Sequence, residues 1–253
     1  MKRHSIISLR ALITSITLMI SASAIAQDKS VNRISQEWGQ YYATIKVAKK
    51  WTWTADAGYR YNELFKNPSQ YIVRTGLYYQ LNDRMKVGSG FAHLGFYTSG
   101  KISKLEYRTY EEFALSDNYN HVSIQHRFRI EERYFKSVVD GKVGPGHTFN
   151  FRFRYQFLMN FKIVGLSSTN PQEALSLNLG DEIFVNAGRE IVYNVFDQNR
   201  IIAGPVVSFT KNFSVGLIYN SQFAATTTPK SYVHTDVFWL TVKQNFDISR
   251  HKK

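Results

Sequence analysis

Cysteine is absent from the 253 residues. No disulfide can staple this chain, so hydrogen bonding and packing must hold whatever fold it adopts, even in an oxidising compartment. A transmembrane helix is missing too: the longest apolar stretch, residues 11–20, is about half of the roughly 20 residues such a helix needs. Proline is scarce, at five, and Pro68, Pro145, Pro171 and Pro229 fall in polar connections where they interrupt no strand ladder. Pro205 does not, and it predicts an irregular or bulged strand at residues 200–209. Phosphate loops and dinucleotide fingerprints are lacking. His121 and His126 fall on opposite faces of one strand, so they cannot share a metal. No cofactor, no metal and no catalytic residue is therefore assigned.

What is present at the start is a tripartite leader. Lys2, Arg3 and Arg10 precede or open the apolar residues 11–20, and Ala24-Ile25-Ala26 forms a small-x-small cleavage site. Residues 1–26 are expected to be a signal peptide and residues 27–253 one extracytoplasmic domain. Losing the leader removes three positive charges and no negative one, taking the net charge from +13 to +10. That charge suits an anionic membrane surface as well as a nucleic acid.

Period-two alternation fills the mature chain. Trp51, Trp53, Ala55, Ala57, Tyr59 and Tyr61 share one face, against Thr52, Thr54, Asp56, Gly58 and Arg60. Residues 71–81, 122–134, 149–157 and 213–223 repeat the pattern, with His126 and Glu132 as polar intruders on an apolar face. Segments of about ten alternating residues divided by turn residues are the signature of a transmembrane barrel. Short turns are expected at residues 49–50, 82–83, 117–120 and 211–212, and longer loops at 62–69, 98–103, 136–146, 187–198 and 224–230. Eleven strand candidates emerge. Bacterial single-chain barrels have even strand numbers, so twelve strands are expected, with ten as the alternative and residues 161–174 as the hiding place of the missing one.

A soluble barrel would show the same period with its apolar face turned inward. Three features favour the membrane form. The apolar face is rich in Tyr, Phe and Trp near strand ends, as aromatic girdles require; the strands exceed the usual five or six residues; and the polar face carries Arg and Glu at mid-strand. The expected fold is an all-β, antiparallel, up-and-down transmembrane barrel in a bacterial outer membrane. Outer-membrane lipids and the barrel-assembly machinery are its expected partners, and nucleic acid is not one: runs such as Phe151-Arg152-Phe153-Arg154-Tyr155 are better read as lipid-facing aromatics.

Several runs resemble a known family. Residues 126–133 (His-Arg-Phe-Arg-Ile-Glu-Glu-Arg), 152–155 (Arg-Phe-Arg-Tyr), 179–186 (Leu-Gly-Asp-Glu-Ile-Phe-Val-Asn) and 196–200 (Phe-Asp-Gln-Asn-Arg) with Gly204 are similar to the domain-of-unknown-function family numbered 2490. Trp38 and the stretch from Arg108 to Glu112 fit the same pattern. The resemblance implies an outer-membrane barrel without an assigned reaction.

The candidate site is the polar face itself. Arg108, Glu112, Arg127, Arg129, Glu131, Arg133, Arg152, Arg154, Glu182 and Arg200 are expected to share a charged lumen. Such a lumen either selects an anionic solute, as arginine rings do in anion pores, or forms an ion-pair ladder that shuts the barrel. The ladder is favoured, because narrow barrels fill their interiors with side chains and buried charges need partners. Passage or binding of a small solute or lipid, or envelope integrity, is the expected role. One alternative is a barrel-embedded lipid hydrolase, suggested by His121-Val122-Ser123, although that pair lies on the polar face without a third member. Another is a soluble periplasmic barrel that binds a ligand. Adjacent acids at Glu131/Glu132 and Asp181/Glu182 point to opposite faces, so neither pair can flank one glycosidic bond.

Overall fold

Alternating side chains can satisfy two different surroundings only if the backbone is extended, and the alternating segments among the described residues are extended strands. The computed structural model describes residues 29–170 and 172–249; the expected leader at 1–26 lies outside the described residues. Twelve strands and no helix occur among them: β1 (Ser30–Lys46), β2 (Trp51–Asn62), β3 (Asn67–Gln80), β4 (Met85–Thr98), β5 (Lys101–Tyr119), β6 (Val122–Val139), β7 (Lys142–Val143), β8 (Thr148–Gly165), β9 (Ala174–Ala187), β10 (Phe196–Thr210), β11 (Phe213–Ala225) and β12 (Ser231–Asp247). The two-residue β7 pairs only with the end of β6, extending one hairpin. The other eleven close into a barrel, each paired with its neighbours in the chain and β12 with β1. The twelfth strand thus sits outside the barrel wall. Residues 161–174, where an extra wall strand was expected, hold none of their own: β8 runs to Gly165 and β9 opens at Ala174.

An up-and-down barrel of eleven strands cannot be antiparallel everywhere. Here β1 and β12 run parallel, in unbroken register from Ser30↔Ser231 to Lys46↔Asp247, and every other wall pairing is antiparallel. The ends of the described chain therefore emerge at opposite rims. Ser30 lies at the rim that carries the β2–β3, β4–β5, β6–β8, β9–β10 and β11–β12 connections, and Asp247 at the rim of the other five.

The expected short turns all fall at the Asp247 rim and the expected longer loops at the other, with two departures. The β4–β5 connection shrinks to Ser99-Gly100, and the β6–β7 hairpin turns at Asp140-Gly141; both turns place two successive residues at positive φ. Such turns match the twist of the flanking strands and tighten the hairpin. On the opposite rim, the sequence separation of β8 and β9, from Gly165 to Ala174, is longer than that of the strand pairs beside them.

Pro205 is tolerated within β10 because the ladder opens there. It pairs with Leu177 on β9, while no β11 partner is recorded at Gly204 and Pro205, so the missing N–H interrupts one side only. Gly204 is needed at this point, since a Cβ would collide with the Leu217 carbonyl.

The two faces have opposite chemistry. Outward are Trp51, Trp53, Val73, Leu77, Phe91, Phe128, Ile130, Phe153, Leu217, Phe238 and Leu240, all well exposed. Inward and buried are Glu106, Arg108, Glu112, Arg129, Glu131, Arg152, Arg154 and Glu182, with smaller apolar layers at Ile72/Ala92/Leu94 and Ile202/Val206/Ile218. Glycines make room for rings that cross the interior: a Cβ on Gly88 would strike Tyr78, and one on Gly90 would strike Tyr110. The polar intruders on the outer face are paired locally, His126 with the Tyr155 hydroxyl at 2.9 Å and Glu132 accepting from Thr109.

The parallel seam is testable because the chain has no cysteine of its own. Ala43 and Gln244 face each other across it, so the Ala43→Cys/Gln244→Cys variant should cross-link on oxidation. Ala43→Cys/Tyr232→Cys, whose positions lie far apart along the seam, should not. The reverse result on non-reducing gels would refute parallel closure.

Candidate functional site

Four consecutive wall strands, β5, β6, β8 and β9, put charged side chains at matching heights. Their registers set Arg108 beside Arg133, Glu112 beside Arg129, Glu131 beside Arg152, and Gln156 beside Glu182. Inward parity on each strand does the rest, since residues two apart share a face.

Glu131 is the hub. It is 0 % exposed and lies among four guanidiniums: Arg154 at 2.5 Å, Arg152 at 2.6 Å, Arg108 at 3.1 Å and Arg129 at 3.8 Å. Glu182, 2 % exposed, takes Arg154 at 2.6 Å and Arg127 at 2.7 Å, with Arg200 at 3.7 Å. Glu106 bridges Arg108 and Arg133 at 2.6 and 2.8 Å. Glu112 holds Arg129 at 2.5 Å and is 3.7 Å from Arg127. Because Arg108, Arg127, Arg129 and Arg154 each serve two carboxylates, the pairs merge into one lattice. Phe184, itself 0 % exposed, offers its ring to Arg152, Arg154 and Arg200 at 5.1, 4.5 and 4.6 Å, and Tyr110 does so for Arg129 at 4.3 Å. Cations over aromatic faces gain further attraction when desolvated.

All ten residues expected in the lumen meet in this lattice. Three further groups belong to it or lie beside it. Glu106 shares the parity of Arg108 on β5, a signal already present in the alternation. Asp197 does not obey parity: a register shift between Phe196 and Gln198 turns it inward, where it meets Arg152 at 2.9 Å. Bulges of this kind re-aim single side chains. Asp56 and Arg74, 2.9 Å apart on β2 and β3, form a separate interior pair. The lattice contains seven guanidiniums (Arg108, Arg127, Arg129, Arg133, Arg152, Arg154, Arg200) and five carboxylates (Glu106, Glu112, Glu131, Glu182, Asp197). Its balance is cationic.

The pair His121/Ser123 is not assembled. His121 sits in the turn before β6, Ser123 lies in β6 opposite Asn118 and Asn160, and among the described residues no hydrogen bond joins the two side chains. No group of three or more potential metal ligands occurs among the described residues.

Chemically, the arrangement is a buried ion-pair network on five neighbouring strands of a barrel whose apolar surface faces out. That defines a β-barrel with a charged interior. The chain belongs to the family described as Protein of unknown function (DUF2490), whose model matches residues 35–233. Neither the curated proteins nor the solved structures include a match to it.

Removing one partner from a buried ion pair leaves an uncompensated charge, at about 3–5 kcal/mol. Glu131→Gln leaves four guanidiniums around a neutral amide, and should lower unfolding free energy by about that amount. Glu132→Gln, on the outer face with one hydroxyl donor, should cost about 1 kcal/mol or less. Urea unfolding of the refolded protein, followed by tryptophan fluorescence, measures both; equal effects would contradict a central role for Glu131.

Proposed function

We propose that this protein is a bacterial outer-membrane barrel whose interior holds small solutes and does not form an open ion pore. The observation that carries this reading is the inverted distribution of side chains, with charge inside and large apolar residues around the outer wall. In water such a wall would present an apolar surface far beyond the few hundred Å² that soluble monomers usually expose. In a bilayer it has no such penalty, and a closed barrel leaves no unpaired sheet edge in lipid. Aromatic contacts near both rims suit interfacial girdles: Trp51 with Tyr79 at one, Tyr59 with Tyr61 and Tyr134 with Phe149 nearer the other. An exported precursor with a cleaved leader at 1–26, insertion by the barrel-assembly machinery and contact with outer-membrane lipids belong to the same proposal.

The lattice argues for binding or envelope integrity over free conduction, because most of its guanidiniums and carboxylates are engaged with one another inside the barrel. The expected behaviour is outer-membrane fractionation, heat-modifiable gel migration, and at most a small current in planar bilayers, with any anion preference reduced by Arg152→Ser. Recovery in the soluble fraction without a heat-dependent shift would overturn the membrane reading. A large steady current would overturn the closed lumen.

One local arrangement favours a second reading, a barrel-embedded lipid hydrolase. On the outer wall, Ser221 Oγ lies 2.8 Å from His234 Nε2. Asp236, opposite Ser221 in register, accepts from the Tyr219 hydroxyl at 2.5 Å. A hydroxyl and a base within hydrogen-bond reach on a lipid-facing wall is the start of a nucleophilic site. The strand amides here are engaged in the sheet, so a developing oxyanion would need a side chain such as Arg33, which neighbours His234 across the seam. Fatty-acid release from phospholipid micelles that disappears in Ser221→Ala supports this reading; no release by the unmodified protein removes it.

A further inference from the structure

We infer that the interior contains a small-anion site at the edge of the lattice, formed by Arg60 and Arg200 against Trp38, that takes a phosphate- or dicarboxylate-sized solute. The inference deepens the solute-binding reading and rests on it for the solute's route, though not for the geometry.

Arg60 and Arg200 come from opposite sides of this wall and meet at one ring. The Arg60 guanidinium lies 3.6 Å from the Trp38 ring centre and that of Arg200 lies 5.5 Å from it. Arg60 pairs with no carboxylate among the described residues, and Arg200 has only a distant share in one. Among the described residues, the only hydrogen-bond acceptor for the Arg60 side chain is Gln70 Oε1, at 2.6 Å. Arg200 is 3.7 Å from Glu182, which already binds Arg127 and Arg154 more closely; its hydrogen bonds at 2.8 Å are to the neutral Gln198, with the amide oxygen turned towards it. Asp56, the interior acid on the strand of Arg60, is committed to Arg74 and Gln40. Two guanidiniums drawn together with only one distant, shared carboxylate beside them repel each other, and an anion between them would reverse the sign of that interaction.

The same wall carries the polar groups that would complete such a site. Trp239 packs edge-on against Trp38 at 5.3 Å and its indole N–H has no acceptor. Asn220, 0 % exposed, has neither amide atom hydrogen-bonded, and the Gln222 carbonyl oxygen is also unpaired. Gln222 is the register partner of Arg200, and Trp239 that of Trp38, which in turn faces Arg60. The six residues therefore lie on five neighbouring strands, β2, β1, β12, β11 and β10. Buried polar groups without partners are rare, and Trp239 Nε1, both Asn220 amide atoms and Gln222 Oε1 are four such atoms on the strands between the two arginines. The site is not sealed: the Arg200 side chain keeps 13 % of its surface open and Arg60 is half-buried. A bidentate contact from each guanidinium suits a planar carboxylate or a phosphate, and the paired positive charge favours either over a neutral sugar and repels a cation.

The test is calorimetric titration of the refolded full chain in detergent with inorganic phosphate and, separately, succinate. A saturable isotherm with at least one of them is expected, weakened tenfold or more by Arg60→Gln and less by Arg60→Lys. No saturable binding of either anion, or unchanged affinity in Arg60→Gln, would overturn the site. A second readout does not depend on altering the arginines. In the Trp51→Phe/Trp53→Phe variant only Trp38 and Trp239 remain as tryptophans, and the anion should shift their emission; an unmoved spectrum at saturating anion would overturn the site as well. Heat-modifiable migration and vesicle insertion are scored on the same samples. A barrel that inserts but binds no anion defeats the site alone, and one that binds anion without inserting defeats the membrane reading alone.

Discussion

A carboxylate sealed from water at the centre of a barrel persists only when cations surround it, and meeting that condition for Glu131 organises much of the interior. Its four guanidinium neighbours arrive from three strands, so β5, β6 and β8 must hold one register relative to one another. A slip of one residue on any of them would turn its arginines into the outer apolar face. Each guanidinium then needs further acceptors, which brings in Glu106, Glu112, Glu182 and Asp197, and through Glu182 the strand β10. Replacing such a network by packed apolar side chains is often neutral or stabilising elsewhere. Its value here is specification: the ion pairs distinguish one alignment of long, repetitive strands from its neighbours.

Much of this was legible in the sequence, and the illegible parts have physical causes. Alternation assigned each long segment's faces, because a residue's parity in a strand decides its surroundings. Arg127, Arg129, Glu131, Arg133, Arg152 and Arg154 could therefore be grouped without coordinates. Which acid meets which arginine could not, since that depends on register between strands, and register is set by turns whose lengths the sequence only suggests. Ser99-Gly100 illustrates this: a short polar stretch read as a loop is a two-residue turn. Asp197 was invisible for another reason, because a bulge breaks the parity rule at that point. Glu106 was overlooked although its parity matched Arg108. Arg60 and Arg200 were each placed on the polar face, but their convergence on Trp38 is a property of closure, which joins the first strands to the last.

The strand number of twelve divides into a wall and an extension. Eleven alternating segments were visible, and eleven strands form the wall; the twelfth is the hairpin extension β7. Even numbers follow when every pairing is antiparallel. The β1–β12 seam gives up that condition and keeps every hydrogen-bonding edge occupied, which is the constraint that matters for a sheet without free edges.

That seam also bears on how such a barrel can change over time. Duplication or loss of a hairpin adds or removes two strands, so it alters the circumference while leaving odd or even character untouched. Only the gain or loss of a single strand at a chain end, or a fusion across the seam, changes it. An eleven-stranded wall is therefore separated from every even-stranded one by at least one such event, and that event would move one terminus from one rim to the other.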